Sequence, residues 1–242
     1  MLSTSEKITQ KIRSMPEDIT FGYEQLPIGR EEFWSAAKTM ERLQKKGLIR
    51  KLSKGKFYKP KMTVFGEKQP GEQDILKSYL YQKGQRMAYI TGISLYNQLG
   101  LTTQIPSVIQ IASRSRRNIG AIGTIKVSPV KSYVDVTDEN YQILGFLDAM
   151  KDLKKIPDVD VSAALAIFKN RIKGLGPEQQ SQMVDYALSY PPRVRALLGA
   201  VMEDIKSGTD LNGLKESLNP LTRFELSIPD AALKTALNWN IQ

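Results

Sequence analysis

Residues 30–61 read REEFWSAAKTMERLQKKGLIRKLSKGKFYKPK, and this stretch decides how the rest of the chain is read. Phe33, Ala36, Ala37, Met40 and Leu43 recur at helical spacing, which predicts a helix with one apolar face on a core. Trp34, Ser35, Lys38, Glu41, Arg42 and Lys45 fall elsewhere on its surface. Gly47 supplies a helix stop. Beyond it, Leu48–Leu52 and Phe57-Tyr58 predict two short strands around the turn Ser53-Lys54-Gly55-Lys56. From Lys38 to Lys61 there are ten Lys or Arg and one acid, Glu41. A charge run is ordinarily a solvated face. Here it lies on a helix and hairpin of the size of a recognition helix and wing, so nucleic-acid binding is the stronger expectation.

Charge distribution agrees with that expectation. The net charge is +10 over 242 residues, and residues 1–61 carry +7 of it, with 14 Lys/Arg against 7 Asp/Glu. Such asymmetry points to a polyanionic partner, with nucleic acid ahead of membrane because no apolar insertion face accompanies the charge. Hydrophobic residues make up 41%, as in a globular chain with enough length for more than one core. No apolar run approaches a membrane span, and the N-terminus lacks the apolar core of a signal peptide. A cytoplasmic location is therefore expected.

Cysteine and histidine are both absent. Disulfides, thiolate metal sites, cysteine nucleophiles and imidazole bases are excluded. An enzyme would have to rely on carboxylates, Lys, Ser or Tyr, and no paired-carboxylate motif is evident. The expectation is a protein without catalytic residues, cofactor or metal.

The anticipated fold class is α+β and predominantly helical, in three segments. Residues 1–61 form a winged helix-turn-helix: a helix over Ser3–Met15, a compact turn-rich helix over Phe21–Ile28, the long helix, and the hairpin. Residues 62–157 form a small mixed α/β region, with helices over Glu72–Gln82, Ile93–Leu99 and Asn140–Lys151, and strands over Ser107–Ala112 and Ile119–Val130. Residues 158–242 form a helical region, with helices over Val161–Lys173, Pro177–Ser189, Arg193–Lys206, Leu211–Leu218 and Ala231–Trp239, and an extended link over Phe224–Ile228.

The candidate DNA-binding residues are Ser35, Lys38, Arg42 and Lys45 on the helix, with Arg50, Lys54 and Lys56 on the hairpin. Ser35 and Lys38 suit base or phosphate contact, whereas Trp34 reads as core or interdomain packing. Arg114, Arg116 and Arg117 sit at an anticipated hairpin tip. They form either a solvated turn or a contact with DNA or an acidic partner. Gly120-Ala121-Ile122-Gly123 does not lead from strand into helix, so it makes a poor phosphate loop. Asp135, Asp138 and Glu139 are better explained as helix-start acids than as Mg²⁺ ligands.

Two motifs carry a resemblance. Tyr89–Pro106, YITGISLYNQLGLTTQIP, resembles the Y-hydrophobic-T-G-x-S…LGL-T-T-Q-x-P stretch of AbiEi-type antitoxins, bacterial proteins encoded beside nucleotidyltransferase toxins. Glu41–Pro60, ERLQKKGLIRKLSKGKFYKP, is similar to that family's winged-helix end, and Phe57 stands before Tyr58 in the wing's second strand. The resemblance covers roughly residues 30–130, and residues 158–242 carry no matching motif. It implies a cytoplasmic antitoxin whose winged helix represses its own operon and whose remainder neutralises a nucleotidyltransferase toxin. The competing expectation is a winged-helix regulator with an effector or dimerisation domain and no toxin partner.

Overall fold

The computed structural model describes residues 2–17, 19–64, 66–68, 70–82, 84–115, 121–122 and 125–242. The chain is a mixed α/β protein in which helices accompany several small sheets, and it divides into two compact units. The first comprises residues 1–85 and 119–127, and the second residues 86–118 and 128–242.

In the first unit, α1 (Thr4–Ser14) starts at a capping box: Glu6 N–H donates to Ser3 Oγ at 3.3 Å, and Ser3 N–H to Glu6 Oε2 at 2.8 Å. Its Ile8 and Ile12 are buried, as their spacing requires. The next segment departs from the anticipated short helix. Thr20–Gly22 forms a strand, β1, followed by 3₁₀ turns at Tyr23–Gln25 and Arg30–Glu32. Phe21 lies opposite Phe57 across the sheet, and the breakers Gly22, Pro27 and Gly29 leave too few residues between them for an α-helix.

Helix α2 (Phe33–Lys45) buries Ala36, Thr39, Met40 and Leu43 on one stripe. It ends in a Schellman motif: Leu48 N–H donates to the Leu43 carbonyl (3.0 Å) and Gly47 N–H to that of Gln44 (2.9 Å). Gly47 takes φ +73°, which a β-carbon would disfavour. Strands β2 (Arg50–Ser53) and β3 (Lys56–Tyr58) form the anticipated hairpin, and β1 pairs with the other edge of β3, giving an antiparallel sheet of order β1-β3-β2. Phe21, Ile49 and Phe57 from this sheet close the core over Ile8, Ile12, Met40 and Leu43. Each fully buried side chain of this size contributes about 1.5–3 kcal/mol. A second hairpin, β4 (Lys61–Thr63) and β5 (Gly66–Lys68), precedes α3 (Glu72–Leu80), whose Asp74 carbonyl accepts from Thr20 Oγ1 at 3.1 Å. The two-residue strands β6 (Tyr81–Gln82) and β7 (Gln85–Arg86) then pair.

The second unit begins with β8 (Ala88–Thr91) and the short α4 (Ile93–Gln98). β8 pairs antiparallel with β9 (Ile109–Ser113), Tyr89 facing Ala112. Within the first unit, β10 (Ala121–Ile122) pairs with the start of β11 (Ile125–Lys131), which continues into the second beside β9. Helix α5 (Tyr141–Lys151) has every residue from Ile143 to Met150 buried, which makes it the central helix. Around its core pack α6 (Val161–Lys173), α7 (Pro177–Ala187), α8 (Pro192–Asp204) and α9 (Asn212–Glu216). This core runs continuously from Tyr89 to Ile241, across the junction anticipated at Pro157. The helix expected over Ala231–Trp239 shrinks to a 3₁₀ turn at Ala236–Trp239. The Trp239 ring there lies against Gly199 of α8, and Phe224 bridges to Ile241, so side-chain docking replaces helical hydrogen bonding.

Candidate nucleic-acid interface

Opposite its buried stripe, α2 presents Trp34, Lys38, Glu41 and Lys45, with Ser35 and Arg42 on the flank nearer α1. All six are exposed. Trp34 is 80% exposed, which overturns its reading as a core residue. The helix needs only a narrow stripe to meet its core, and Trp34 lies on the far side of it. Phe33 is the aromatic that packs, its ring 4.9 Å from Tyr23.

The cations divide by partner. Lys45 makes an exposed i,i+4 pair with Glu41 at 2.9 Å, which water screens and a phosphate can displace at little cost. Hydrogen bonding to Lys45, with its charge, holds the Glu41 carboxyl below its usual range. Arg42 donates to Ser5 Oγ on α1 and is tied to that helix. Arg50 forks onto Glu67 of β5, with Nε to both carboxylate oxygens (3.0 and 3.1 Å) and Nη2 to one (2.7 Å). Lys56 pairs with Glu24. Lys54, at the hairpin turn, and Lys38 are exposed, and neither has a carboxylate within 4.0 Å among the described residues. Lys46 and Lys51, which were not singled out from the sequence, are likewise exposed. Of the seven residues named from sequence, Lys38, Lys54, Ser35 and Lys45 are therefore the more available, while Arg42, Arg50 and Lys56 serve internal contacts.

Arg114 turns back onto its own unit. Its Nη1 donates to the Tyr133 carbonyl at 2.6 Å, and its Nε lies 3.6 Å from Asp135 Oδ1. Arg116 and Arg117 lie outside the described residues. Asp138 pairs with Arg86 at 2.7 Å, and Glu139 N–H donates to Thr137 Oγ1. Among the described residues no cluster of three or more carboxylates could hold a metal, and no helix is long and apolar enough to cross a membrane.

The second unit holds a buried polar cluster that sequence reading missed. Asp148 on α5 is 1% exposed; its Oδ2 accepts from Tyr89 Oη and Thr91 Oγ1, both at 2.9 Å, and its Oδ1 from Lys151 Nζ at 3.1 Å. Tyr96 donates to Asp152 Oδ2 at 2.8 Å, and Lys151 lies 3.5 Å from the same carboxylate. Burial pushes the Asp148 carboxyl up, against the opposing pull of Lys151 and the two hydroxyls. Burial also works to lower the Lys151 ammonium, but the Asp148 and Asp152 carboxylates outweigh it and raise it. Tyr89 and Thr91 open the YITG motif, so two of that motif's side chains point inward to hold a carboxylate. The one available signal was an aspartate inside the otherwise apolar run ILGFLDAM.

Residues 7–170 match the model of a family described as "Family of unknown function (DUF6088)", and the chain belongs to that family. No curated protein matches significantly. Among solved structures the chain is similar to "Crystal structure of RV2827C protein from Mycobacterium tuberculosis", at 10% identity and a TM-score of 0.46, over 93% of this chain and 84% of that one.

Proposed function

We propose that the first unit is a winged helix-turn-helix that binds duplex DNA, and that the protein is an antitoxin that represses its own operon and neutralises a nucleotidyltransferase-type toxin. In this reading α2 enters the major groove and the β2–β3 turn touches the backbone. The observation that carries it is the outward face of α2 together with the hairpin tip: Lys38, Lys45 and Lys54, with Ser35 beside them, all exposed in a segment with ten cations and one acid. An exposed indole one turn before Lys38 suits apolar contact with a base edge. The toxin-neutralising half draws its support from the resemblance of Tyr89–Pro106 to AbiEi-type antitoxins.

The protein's two tryptophans make a direct test, because Trp34 is 80% and Trp239 only 2% exposed. Titrating duplex DNA from upstream of the gene shifts or quenches the Trp34 emission, and Trp34→Phe abolishes the response. An unchanged spectrum, with no retarded complex on a gel, defeats the DNA-binding reading. For the other half, co-expression with a neighbouring nucleotidyltransferase restores growth; failure of the folded protein to do so leaves the regulator without a toxin as the surviving alternative.

A further inference from the structure

We infer that the second unit carries a binding site for a small polyphosphate-bearing ligand. The site is a cavity of about 370 Å³, within the size range of small-molecule pockets. Five cations line it from three stretches of chain: Lys151, Lys154 and Lys155 at and after the end of α5, Arg193 in the first turn of α8, and Arg223. Met150, Leu153, Phe224 and Leu226 lie beneath them and belong to the core of the unit, none more than 9% exposed. Cations sharing a cavity of this size lie within about one Debye length, roughly 8 Å at physiological ionic strength, of a common ligand, so they act on it together.

Their internal partners do not use up this charge. Lys151 is neutralised by Asp148 and Asp152. Lys155 reaches Asp152 only at 4.0 Å, Lys154 donates to the Glu225 carbonyl at 2.9 Å, and Arg223 to that of Pro220 at 3.0 Å. Among the described residues no carboxylate lies within 4.0 Å of Lys154, Arg193 or Arg223, although Glu225 lines the same cavity. Like charges gathered without counter-ions repel one another, and a phosphate group relieves that repulsion while accepting forked hydrogen bonds from arginine. Charge gathered at one cleft suits a compact polyphosphate better than the spaced carboxylates of an acidic peptide.

The site is independent of the cationic face of α2, and its test uses probes too small to mimic duplex DNA. Isothermal titration of the full chain at physiological ionic strength compares ATP, inorganic pyrophosphate, adenosine and a hexaglutamate peptide. ATP and pyrophosphate both bind, and adenosine and hexaglutamate show no heat. Replacing the exposed Arg193 and Arg223 together by Gln weakens ATP by roughly tenfold or more, as loss of charge-assisted hydrogen bonds implies, with an unchanged circular dichroism spectrum. Lys38→Ala leaves ATP binding unaltered. Absence of ATP binding at millimolar concentration, or affinity indifferent to the double substitution, overturns the inference. Hexaglutamate binding with ATP silent also overturns it and makes the cavity a seat for an acidic protein segment.

Discussion

Replacing Asp148 by Ala removes the acceptor shared by Tyr89, Thr91 and Lys151. Two buried hydroxyls then lose a bond each, and an ammonium whose side chain is only 10% exposed keeps Asp152, at 3.5 Å, as its remaining charge partner. Removing one member of a buried pair costs about 3–5 kcal/mol, because the other charge stays desolvated. A protein of this size loses roughly 2–4 °C per kcal/mol, so the thermal midpoint falls by about 6–20 °C. Asp148→Asn together with Lys151→Met keeps an acceptor for the hydroxyls and deletes the stranded charge, so it recovers most of that loss. Urea unfolding of the parent, Asp148→Ala, Asp148→Asn, Lys151→Met and the Asn/Met double variant measures this, the last three with the parent closing a double-mutant cycle. A coupling energy above about 1 kcal/mol between positions 148 and 151 is expected for residues in direct contact. An Asp148→Ala variant within about 1 kcal/mol of the parent, or a double variant no better than Asp148→Ala, refutes the view that the cluster stabilises the second unit.

Three further outcomes follow from local geometry. Gly100 sits at φ +80° in a Schellman motif after α4, where Leu101 N–H donates to the Tyr96 carbonyl at 2.8 Å; Gly100→Val costs about 1–3 kcal/mol in urea titrations, whereas Gly100→Asn costs less. A β-carbon at Gly199 would stand 2.3 Å from the Trp239 ring, so Gly199→Ala destabilises by about 1–3 kcal/mol and red-shifts the Trp239 emission in a Trp34→Phe background. Burial raises the Tyr89, Tyr96 and Tyr190 hydroxyls far above their ordinary value, so the stability they lend is fully present below the unfolded pKa of about 10 and lost as pH rises above it. Stability monitored from pH 8 to 11 therefore drops above about pH 10, and the drop is shallower in Tyr96→Phe.

Local signals were legible in the sequence where a single element carries its own reason. The hydrophobic stripe and terminal glycine of α2 set its course, and α6 spans Val161–Lys173 as its periodicity requires. Features that depend on distant partners were not legible. Strand β1 has three residues and owes its conformation to Phe57, 36 positions later. Asp148 meets Tyr89 and Thr91 from 59 and 57 positions away, so its aspartate looked like one polar residue in an apolar helix. The terminal stretch around Trp239 has helix-forming residues, but docking against Gly199 overrides that preference. At the proposed DNA-binding face, composition identified the cations without distinguishing those facing solvent from those already paired. Arg50 is spoken for by Glu67 and Lys56 by Glu24, while Trp34 is open to solvent because its side of α2 meets no core.

The central claim, duplex DNA binding through α2 and the β2–β3 turn, is tested most directly by affinity measured across salt concentration. Neutralising about four phosphates gives a log–log slope near −3.6, from roughly −0.9 per contact. Replacing Lys38 and Lys54 together by Ala removes two contacts and brings the slope to about −1.8. Fluorescence anisotropy of a labelled duplex from the gene's own upstream region, titrated with the full chain, reads both values. Tight binding at low salt with these two slopes is the outcome expected. No binding at low salt, or a slope that the double substitution leaves unchanged, contradicts the account.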